Sequence, residues 1–234
     1  MIEKNMHHIW VGDKPAPKKW LDTWTKSHPT WNYTLWDNDK VFSRVWKNQK
    51  LIDYYASKKI WHGVADLIRY EILYEFGGFM PGADSENMLP IDELFENEYE
   101  LFAVRCGGDI KDWAREDGEP IDKIPPFLLR EDKRLIAPIY ACKKGNEFAK
   151  NLIDELSKLE VKDLKEPWKT TGNVFCANML KKYEPKIMIW PMHYFIPYHP
   201  ITIDAGKPYK YIGNDKIYSK HFWGTTRRKY HEGI

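Results

Sequence analysis

An acidic turn follows the most regular amphipathic segment of the sequence. Residues 65–86 read ADLIRYEILYEFGGFMPGADSE, and the acids Asp84 and Glu86 come just after a short apolar stretch. Carboxylates on a tight turn suit a hard divalent cation such as Mg²⁺ or Mn²⁺, which takes oxygen ligands and leaves positions open for phosphate. The alternative is a solvated turn, because aspartate favours turns without any ligand.

The segment before the turn is predicted to be a helix. Its apolar residues recur three or four positions apart, which places one face against a sheet. These residues are Ala65, Ile68, Ile72 and Phe76. Asp66 and Arg69 are three residues apart on a neighbouring face, so a surface ion pair is their simplest interpretation.

A short buried strand is predicted between this helix and the acidic turn. Residues 77–78 are both glycine and end the helix, where a positive φ is needed. Residues 79–80 begin a strand that Pro81 and Gly82 stop early. Asp84 is therefore expected at the C-terminal end of a strand, the side on which open α/β sheets hold their ligands.

The rest of the chain predicts alternating strands and helices, typical of a layered α/β fold with crossover connections. Strands are predicted within residues 6–12, 31–37, 99–106, 134–144 and 186–191, and helices within about 20–26, 40–56 and 146–159. No repeat or composition break divides the 234 residues, so one domain over residues 1–234 is expected. Residues 107–134 are charged and predict an inserted surface loop, which would be the segment that contacts an acceptor.

Composition excludes several classes of partner. The 36 Lys and Arg residues nearly balance 34 Asp and Glu residues, so no field is strong enough to predict binding to nucleic acid or an anionic membrane. Three scattered cysteines without metal-ligand spacing favour a reducing compartment. Since no leader pattern or long apolar segment is present, a cytoplasmic protein without an integral membrane segment is expected.

Several longer motifs occur in a fixed order along the chain. The segments HHIWVGDKPAP, WNYTLWD, ADLIRYEILYEFGG and LPID come first, and TTGNVF, WPMHYFIPY and HFWGTTRR follow near the C-terminus. Together they resemble glycosyltransferase family 32, which contains yeast initiating mannosyltransferases and bacterial capsular sugar transferases, and more distantly the clostridial glucosylating toxins. The resemblance implies a GT-A fold, a Rossmann-like nucleotide-diphospho-sugar transferase domain with a mixed central sheet flanked by helices.

The family's DXD motif is incomplete in this chain. The family reads Tyr-x-Asp-x-Asp-x-Glu after the two glycines, and this alignment places Met80 at the tyrosine and Gly82 at the first aspartate. Asp84 then occupies the position of the metal-binding aspartate, while Gly82 supplies no carboxylate to the donor's hydroxyls. A shifted motif of Asp84 and Glu86 is the alternative, but it changes the distance from the glycines.

The resemblance also implies roles for residues outside the motif. Trp10 matches the tryptophan that stacks on the donor's base, and Val11 would offer backbone contacts. Asp66 matches the aspartate that holds donor-sugar hydroxyls, and Arg69 the arginine that reaches the diphosphate. The alternatives are a core position for Trp10 and a surface ion pair for Asp66 and Arg69.

Two C-terminal residues are assigned roles in the same way. His221 resembles a metal ligand, and Trp223 a lid residue near the leaving phosphate; a purely structural histidine is the alternative. His7, His8 and His62 lack the spacing to a third donor that would predict a separate metal site.

The implied activity is transfer of a sugar from a UDP- or GDP-sugar donor to a glycan or other hydroxyl acceptor, as in polysaccharide biosynthesis. It would depend on Mn²⁺ or Mg²⁺ and retain the anomeric configuration. One alternative is a degenerate transferase that binds a nucleotide sugar or glycan without turnover, because Gly82 and Met80 replace motif residues. A nucleotide-sugar hydrolase, which would release free sugar without an acceptor, is a third hypothesis.

Overall fold

A computed structural model describes residues 2–107, 110–115, 136–199, 209–222 and 233. The helices are α1 (Lys18–Ser27), α2 (Asn38–Phe42), α3 (Gln49–Ser57), α4 (Trp61–Phe76), α5 (Glu147–Leu156), α6 (Pro167–Thr170) and α7 (Asn173–Tyr183). The strands are β1 (Asn5–Ile9), β2 (Asn32–Trp36), β3 (Gly78–Met80), β4 (Ser85–Asn87), β5 (Leu101–Arg105), β6 (Trp113–Arg115), β7 (Ile136–Cys142), β8 (Met188–Trp190), β9 (Tyr198–His199), β10 (Tyr209–Tyr211) and β11 (Ser219–His221).

A mixed sheet of six strands forms the centre of the fold, in the order β2-β1-β3-β7-β5-β8. The strands β2, β1 and β3 are parallel, β7 is antiparallel to both β3 and β5, and β5 is parallel to β8. The parallel strands are joined by helical crossovers, α1 after β1 and α2 to α4 after β2. The layered α/β sheet predicted from the sequence is therefore confirmed.

Strand β3, near the middle of the sheet, is apolar and buried on both faces. On β3, Phe79 belongs to the core cluster that contains Trp24 of α1, whereas its neighbour Met80 belongs to the cluster that contains α4. Successive side chains of a strand point to opposite faces, so β3 joins two cores. A strand buried on both faces holds the turn that follows it in a fixed position.

Two glycines at the end of α4 are required by the backbone. Gly77 and Gly78 have φ angles of 64° and 103°. A Cβ atom at Gly78 would lie 2.2 Å from the Asn5 carbonyl oxygen, so no larger residue would let β3 approach β1. The predicted helix end is confirmed, and it directs the chain toward Asp84.

The helix predicted over residues 40–56 is divided into α2 and α3 by residues 43–48. The backbone N–H groups of Lys47 and Asn48 donate to the Glu71 carboxylate, at 2.8 and 3.2 Å. Glu71 lies on α4, far from the break in sequence. The single-helix prediction was wrong because a tertiary contact provides these donors with an acceptor outside any helix.

Two sequence-based exclusions concern covalent links and membranes. The sequence predicted no disulfide framework. In the structure Cys106, Cys142 and Cys176 are all buried and free. In the part of the chain that the structure describes, none of the helices combines the length and the apolar character needed to cross a bilayer.

His8 on β1 predicts how stability depends on pH. Its side chain is fully buried, neither ring nitrogen has a hydrogen-bond partner, and burial lowers its pKa from 6.5 to about 3. Below pH 6.5 His8 is protonated in the unfolded chain, whereas in the folded protein it stays neutral down to about pH 3. Stability should therefore fall as the pH falls through this window, by about 1.4 kcal/mol per pH unit from His8.

The variant His8→Leu tests this dependence, because leucine fills the site without a titratable group. Urea unfolding at pH 7.5 and pH 5.5 gives the stability difference between the two pH values. We expect that difference to shrink by about 1 kcal/mol in His8→Leu. An unchanged difference would show that His8 is protonated equally in the folded and unfolded chains.

Candidate active site

The acidic turn and the C-terminal strand meet at one point. The Nε2 atom of His221 lies 3.0 Å from Oδ1 of Asp84, and the two side chains are 11% and 18% exposed. Asp84 lies in the turn between β3 and β4, as predicted, and His221 is the last residue of β11. Two residues far apart in sequence thus form a partly buried carboxylate–imidazole pair.

The pairing of β4 with β11 produces this meeting. The two strands are antiparallel, with His221 opposite Ser85, and the Phe222 N–H donates to the Asp84 carbonyl at 2.8 Å. The indole N–H of Trp24 donates to the Ser85 carbonyl at 3.0 Å and links this pair of strands to α1. Main-chain hydrogen bonds therefore fix the position of His221.

Gly82 faces the same pair. A Cβ atom at position 82 would lie 3.0 Å from both Cδ2 and Nε2 of His221 and 3.4 Å from Oδ1 of Asp84. The His221 imidazole thus lies against the space that a side chain at position 82 would enter. The residue aligned with the first aspartate of DXD is adjacent to both candidate metal ligands.

Asp66 and Arg69 form a buried ion pair on α4. The Nη1 atom of Arg69 lies 2.9 Å from Oδ1 of Asp66, and each side chain is only 11% exposed. Burial raises the pKa of Asp66, which the Arg69 charge opposes. Burial also disfavours the charged form of Arg69, yet Asp66 raises the pKa of this guanidinium. The surface ion pair considered from the sequence is therefore not what the structure has.

Aromatic and glycine residues surround this pair. The guanidinium of Arg69 lies 5.6 Å from the ring centre of Tyr140. A Cβ atom at Gly172 would lie 2.7 Å from Oδ2 of Asp66, so glycine is needed for this backbone to approach the carboxylate. Gly172 belongs to the TTGNVF motif, which the fold thus places beside α4.

Trp10 and Val11 follow β1 at the same edge of the sheet and are both partly buried. The indole N–H of Trp10 donates to the Lys14 carbonyl at 2.9 Å. The next residue, Gly12, has a φ of 113°, and a Cβ atom there would lie 2.5 Å from the Trp61 ring. Trp10 is only partly buried and belongs to neither hydrophobic core cluster.

Residues 16–100 match the family described as "Glycosyltransferase sugar-binding region containing DXD motif". This range contains the Asp66–Arg69 pair and the turn with Gly82 and Asp84. Residues 16–100, called the sugar-binding region below, are thus similar to this part of known glycosyltransferases. The resemblance stated from the sequence motifs is confirmed by this match, although residues 82–84 of the region read Gly-Ala-Asp.

The fold of the sugar-binding region and its surroundings is similar to that of a solved glycosyltransferase. The structure described as "PaToxG Glycosyltransferase" superposes with a TM-score of 0.53 at 17% sequence identity, and the match covers 77% of this chain and 69% of that chain. This likeness confirms the predicted GT-A-like fold. Together, the fold and the matched region support a transferase. No curated protein sequence matches the chain.

Asp84 of the sugar-binding region and His221 of β11 are the candidate ligands for a divalent cation. Within the residues that the structure describes, no group of three or more His, Cys, Asp or Glu side chains is arranged to hold a metal ion. Asp84 and His221 nevertheless fit the Mn²⁺ or Mg²⁺ predicted from the sequence, because such ions are commonly held by one or two side chains together with substrate phosphates and water.

Some residues assigned from the sequence lie outside the described part of the chain. They are Trp223, the proposed lid residue, and most of the predicted insertion over residues 107–134. The described part of that insertion contains a short 3-10 helix at Ile110–Asp112 and β6. Its role beside the acceptor stays a prediction.

Two residues near the candidate site were not predicted from the sequence. Tyr140 lies opposite Met80 in the β3–β7 pairing, so a tyrosine stands across from the position where the family motif has one. Trp61 packs on Gly12. Neither pairing could be read from spacing, because Tyr140 comes from a distant strand and Trp61 from the start of a helix.

Replacing Gly82 by aspartate is expected to have opposite effects on metal binding and on stability. A second carboxylate beside Asp84 and His221 should raise the affinity for Mn²⁺ at least about tenfold, since ligand charge sets affinity. Without metal, like charges and the 3.0 Å approach to His221 should lower the melting temperature by a few degrees. Melting curves with and without Mn²⁺ measure both effects.

The matched control is Gly82→Asn, which introduces the same bulk without the charge. It should lower the melting temperature in the absence of metal and gain no affinity for Mn²⁺. If Gly82→Asp binds Mn²⁺ no better than Gly82→Asn, position 82 does not face the cation, and the site has been rebuilt around other residues.

Proposed function

We propose that this protein is a metal-dependent glycosyltransferase. It moves a sugar from a UDP- or GDP-sugar donor to a hydroxyl of a glycan or another acceptor, with retention of anomeric configuration. The observation that carries this proposal is the 3.0 Å approach of His221 to Asp84. It brings a nitrogen ligand to the DXD-type turn from a strand far away in sequence.

Each residue of the site has a role in holding the donor. Asp84 and His221 would hold a divalent cation, which would supply charge neutralisation for the diphosphate. Trp10 stacks on the base, and the main chain of Val11 contacts the nucleoside. Asp66 accepts hydrogen bonds from the donor sugar, and Arg69 stabilises the departing diphosphate, for which its planar fork of donors is suited.

The low exposure of the Asp66–Arg69 pair strengthens the electrostatic interactions of both groups with the donor. Charges interact more strongly where water is excluded. Because the ion pair with Asp66 holds the Arg69 side chain in place, that side chain needs little movement as negative charge develops on the diphosphate. The bond between the anomeric carbon and the phosphate oxygen breaks, the acceptor oxygen attacks on the same face, and the acceptor proton passes to the leaving phosphate oxygen. This mechanism needs no strong general base.

A degenerate transferase that only binds its ligand is the second candidate. It is favoured by Gly82 and Met80, which stand where the family motif has aspartate and tyrosine. Loss of one buried hydrogen-bonding group to the sugar costs about 2–4 kcal/mol, or two to three orders of magnitude in rate. Such a loss weakens turnover without excluding it. A nucleotide-sugar hydrolase is the third candidate.

A panel of UDP- and GDP-sugars with Mn²⁺ tests the proposal. Nucleotide release and acceptor labelling are measured together, with EDTA as the metal-free control. The proposal predicts release and labelling that stop with EDTA. Donor binding without release from any sugar would favour the binding protein, and release of free sugar that no acceptor captures would favour the hydrolase.

A further inference from the structure

The tryptophans of this protein differ in exposure in a way that hydrophobic burial does not explain. Of the ten in the described residues, seven are buried: Trp20, Trp24, Trp31, Trp36, Trp46, Trp113 and Trp190. Trp10 and Trp61 are partly buried, and Trp168 is 49% exposed. Leaving a large apolar ring exposed loses about 1.5–3 kcal/mol of the free energy that its burial would contribute. An exposed tryptophan is therefore a candidate for a binding role.

Trp168 lies beside the sugar-binding residues. It is on α6, directly before the loop that contains Gly172. A Cβ atom at Gly172 would lie 3.0 Å from the Trp168 Cα and 2.7 Å from Oδ2 of Asp66. The Trp168 backbone and the Asp66 carboxylate therefore both lie close to Gly172.

The other two tryptophans that are not fully buried lie near the start of α4. Trp61 is the first residue of that helix and packs on Gly12, two residues after Trp10. Asp66 follows on the same helix, and Trp168 lies across Gly172 from it. Of the three tryptophans that are not fully buried, Trp61 thus lies on the helix that carries Asp66, and the Trp168 backbone lies near Asp66 itself.

We propose that the Trp168 ring is the platform on which a sugar ring of the acceptor glycan stacks. This inference rests on the proposed function, in which Asp66 holds the donor sugar. An acceptor must arrive from solvent beside that sugar, and Trp168 is an aromatic residue near Asp66 that is 49% exposed to solvent. The apolar C–H face of a pyranose packs on an aromatic face, while its hydroxyls stay hydrated or bonded to polar neighbours.

Two charged residues next to Trp168 suit such a ligand. The Lys169 ammonium lies 4.9 Å from the Trp168 ring centre, and its amine is 2.6 Å from the Glu166 carboxylate. Lys169 and the indole of Trp168 both lower the pKa of Glu166. Lys169 can donate hydrogen bonds and Glu166 can accept them. Both are therefore suited to bind the hydroxyl groups of a sugar that stacks on the ring.

The variant Trp168→Ala tests the proposal when the kinetics for the acceptor and for the donor are measured separately. We expect the KM for the acceptor to rise about tenfold, corresponding to about 1.4 kcal/mol, with the KM for the donor and the slow release of nucleotide without acceptor unchanged. Trp168→Phe should recover most of the loss, because it keeps an aromatic face. Phe42→Ala, which removes another exposed aromatic residue, should change none of these values.

Binding measurements keep this inference distinguishable from the proposed function. Oligosaccharides of mannose, glucose, galactose and N-acetylglucosamine are titrated into the wild-type protein and Trp168→Ala by calorimetry, without donor. Binding by the wild type that weakens about tenfold in the variant supports the platform even if no turnover is found. The platform is overturned if no oligosaccharide binds, if the variant binds equally well, or if its donor KM rises with the acceptor KM.

Discussion

Asp84→Asn is expected to lower nucleotide release from the preferred donor by two to three orders of magnitude. Asparagine has the shape of aspartate, but it lacks the charge that a divalent cation and its diphosphate require at this turn. Losing one group that stabilises developing charge costs about 3–4 kcal/mol in the transition state. Steady-state release with UDP- and GDP-sugars at saturating Mn²⁺ measures the effect.

Two comparisons separate this effect from general damage. Asp39→Asn removes an exposed carboxylate near the start of α2 and should leave activity unchanged. Glu86→Gln should have a small effect, because Glu86 lies opposite Lys220 in the β4–β11 pair rather than opposite His221. A larger loss in Glu86→Gln than in Asp84→Asn would favour the shifted motif, and full Mn²⁺-dependent activity in Asp84→Asn would remove the metal assignment.

Asp66→Asn is expected to lower the free energy of unfolding by about 3–5 kcal/mol, the usual effect of removing one partner from a buried ion pair. The side chains of Asp66 and Arg69 are each only 11% exposed, so the guanidinium would be left in a region of low dielectric without its counter-charge. For a chain of this length the melting temperature should fall by roughly 10 °C. Urea unfolding and calorimetry measure the two quantities.

A double variant separates the structural and functional roles of this pair. Asp66→Asn combined with Arg69→Met removes both charges and should regain much of the lost stability, whereas donor turnover should stay abolished. Glu98→Gln is the control, because the Lys186–Glu98 pair is largely exposed and should change stability by less than about 1 kcal/mol. A loss below 1 kcal/mol in Asp66→Asn itself would contradict the buried pair.

The local elements that position Asp84 could be predicted from the sequence. The helical spacing before Gly77 predicts α4, and the two glycines predict the positive φ angles that the structure has. The short apolar segment predicts β3 and places Asp84 directly after it. These features depend on periodicity and on backbone sterics, which act between residues close together in the chain.

Other features of the candidate site could not be predicted, since distant segments create them. The division between α2 and α3 depends on Glu71 as an acceptor. The burial of Asp66 and Arg69 depends on the packing of α6 and α7 beside α4. This packing excludes the surface ion pair that the sequence left open as an alternative. The three-residue spacing of Asp66 and Arg69 is the same for a surface pair and for a buried pair, so spacing alone could not distinguish them.

By itself the sequence determined the order of most strands and helices, the helix end before the acidic turn, and the motifs that resemble a sugar-nucleotide transferase. Only the tertiary structure decided that His221 meets Asp84, that Gly82 faces both, and that Trp168 lies beside Asp66. The physical reason is the range of the interactions: turns and helix ends are set by neighbouring residues, whereas strand pairing and burial arise only when remote segments pack together.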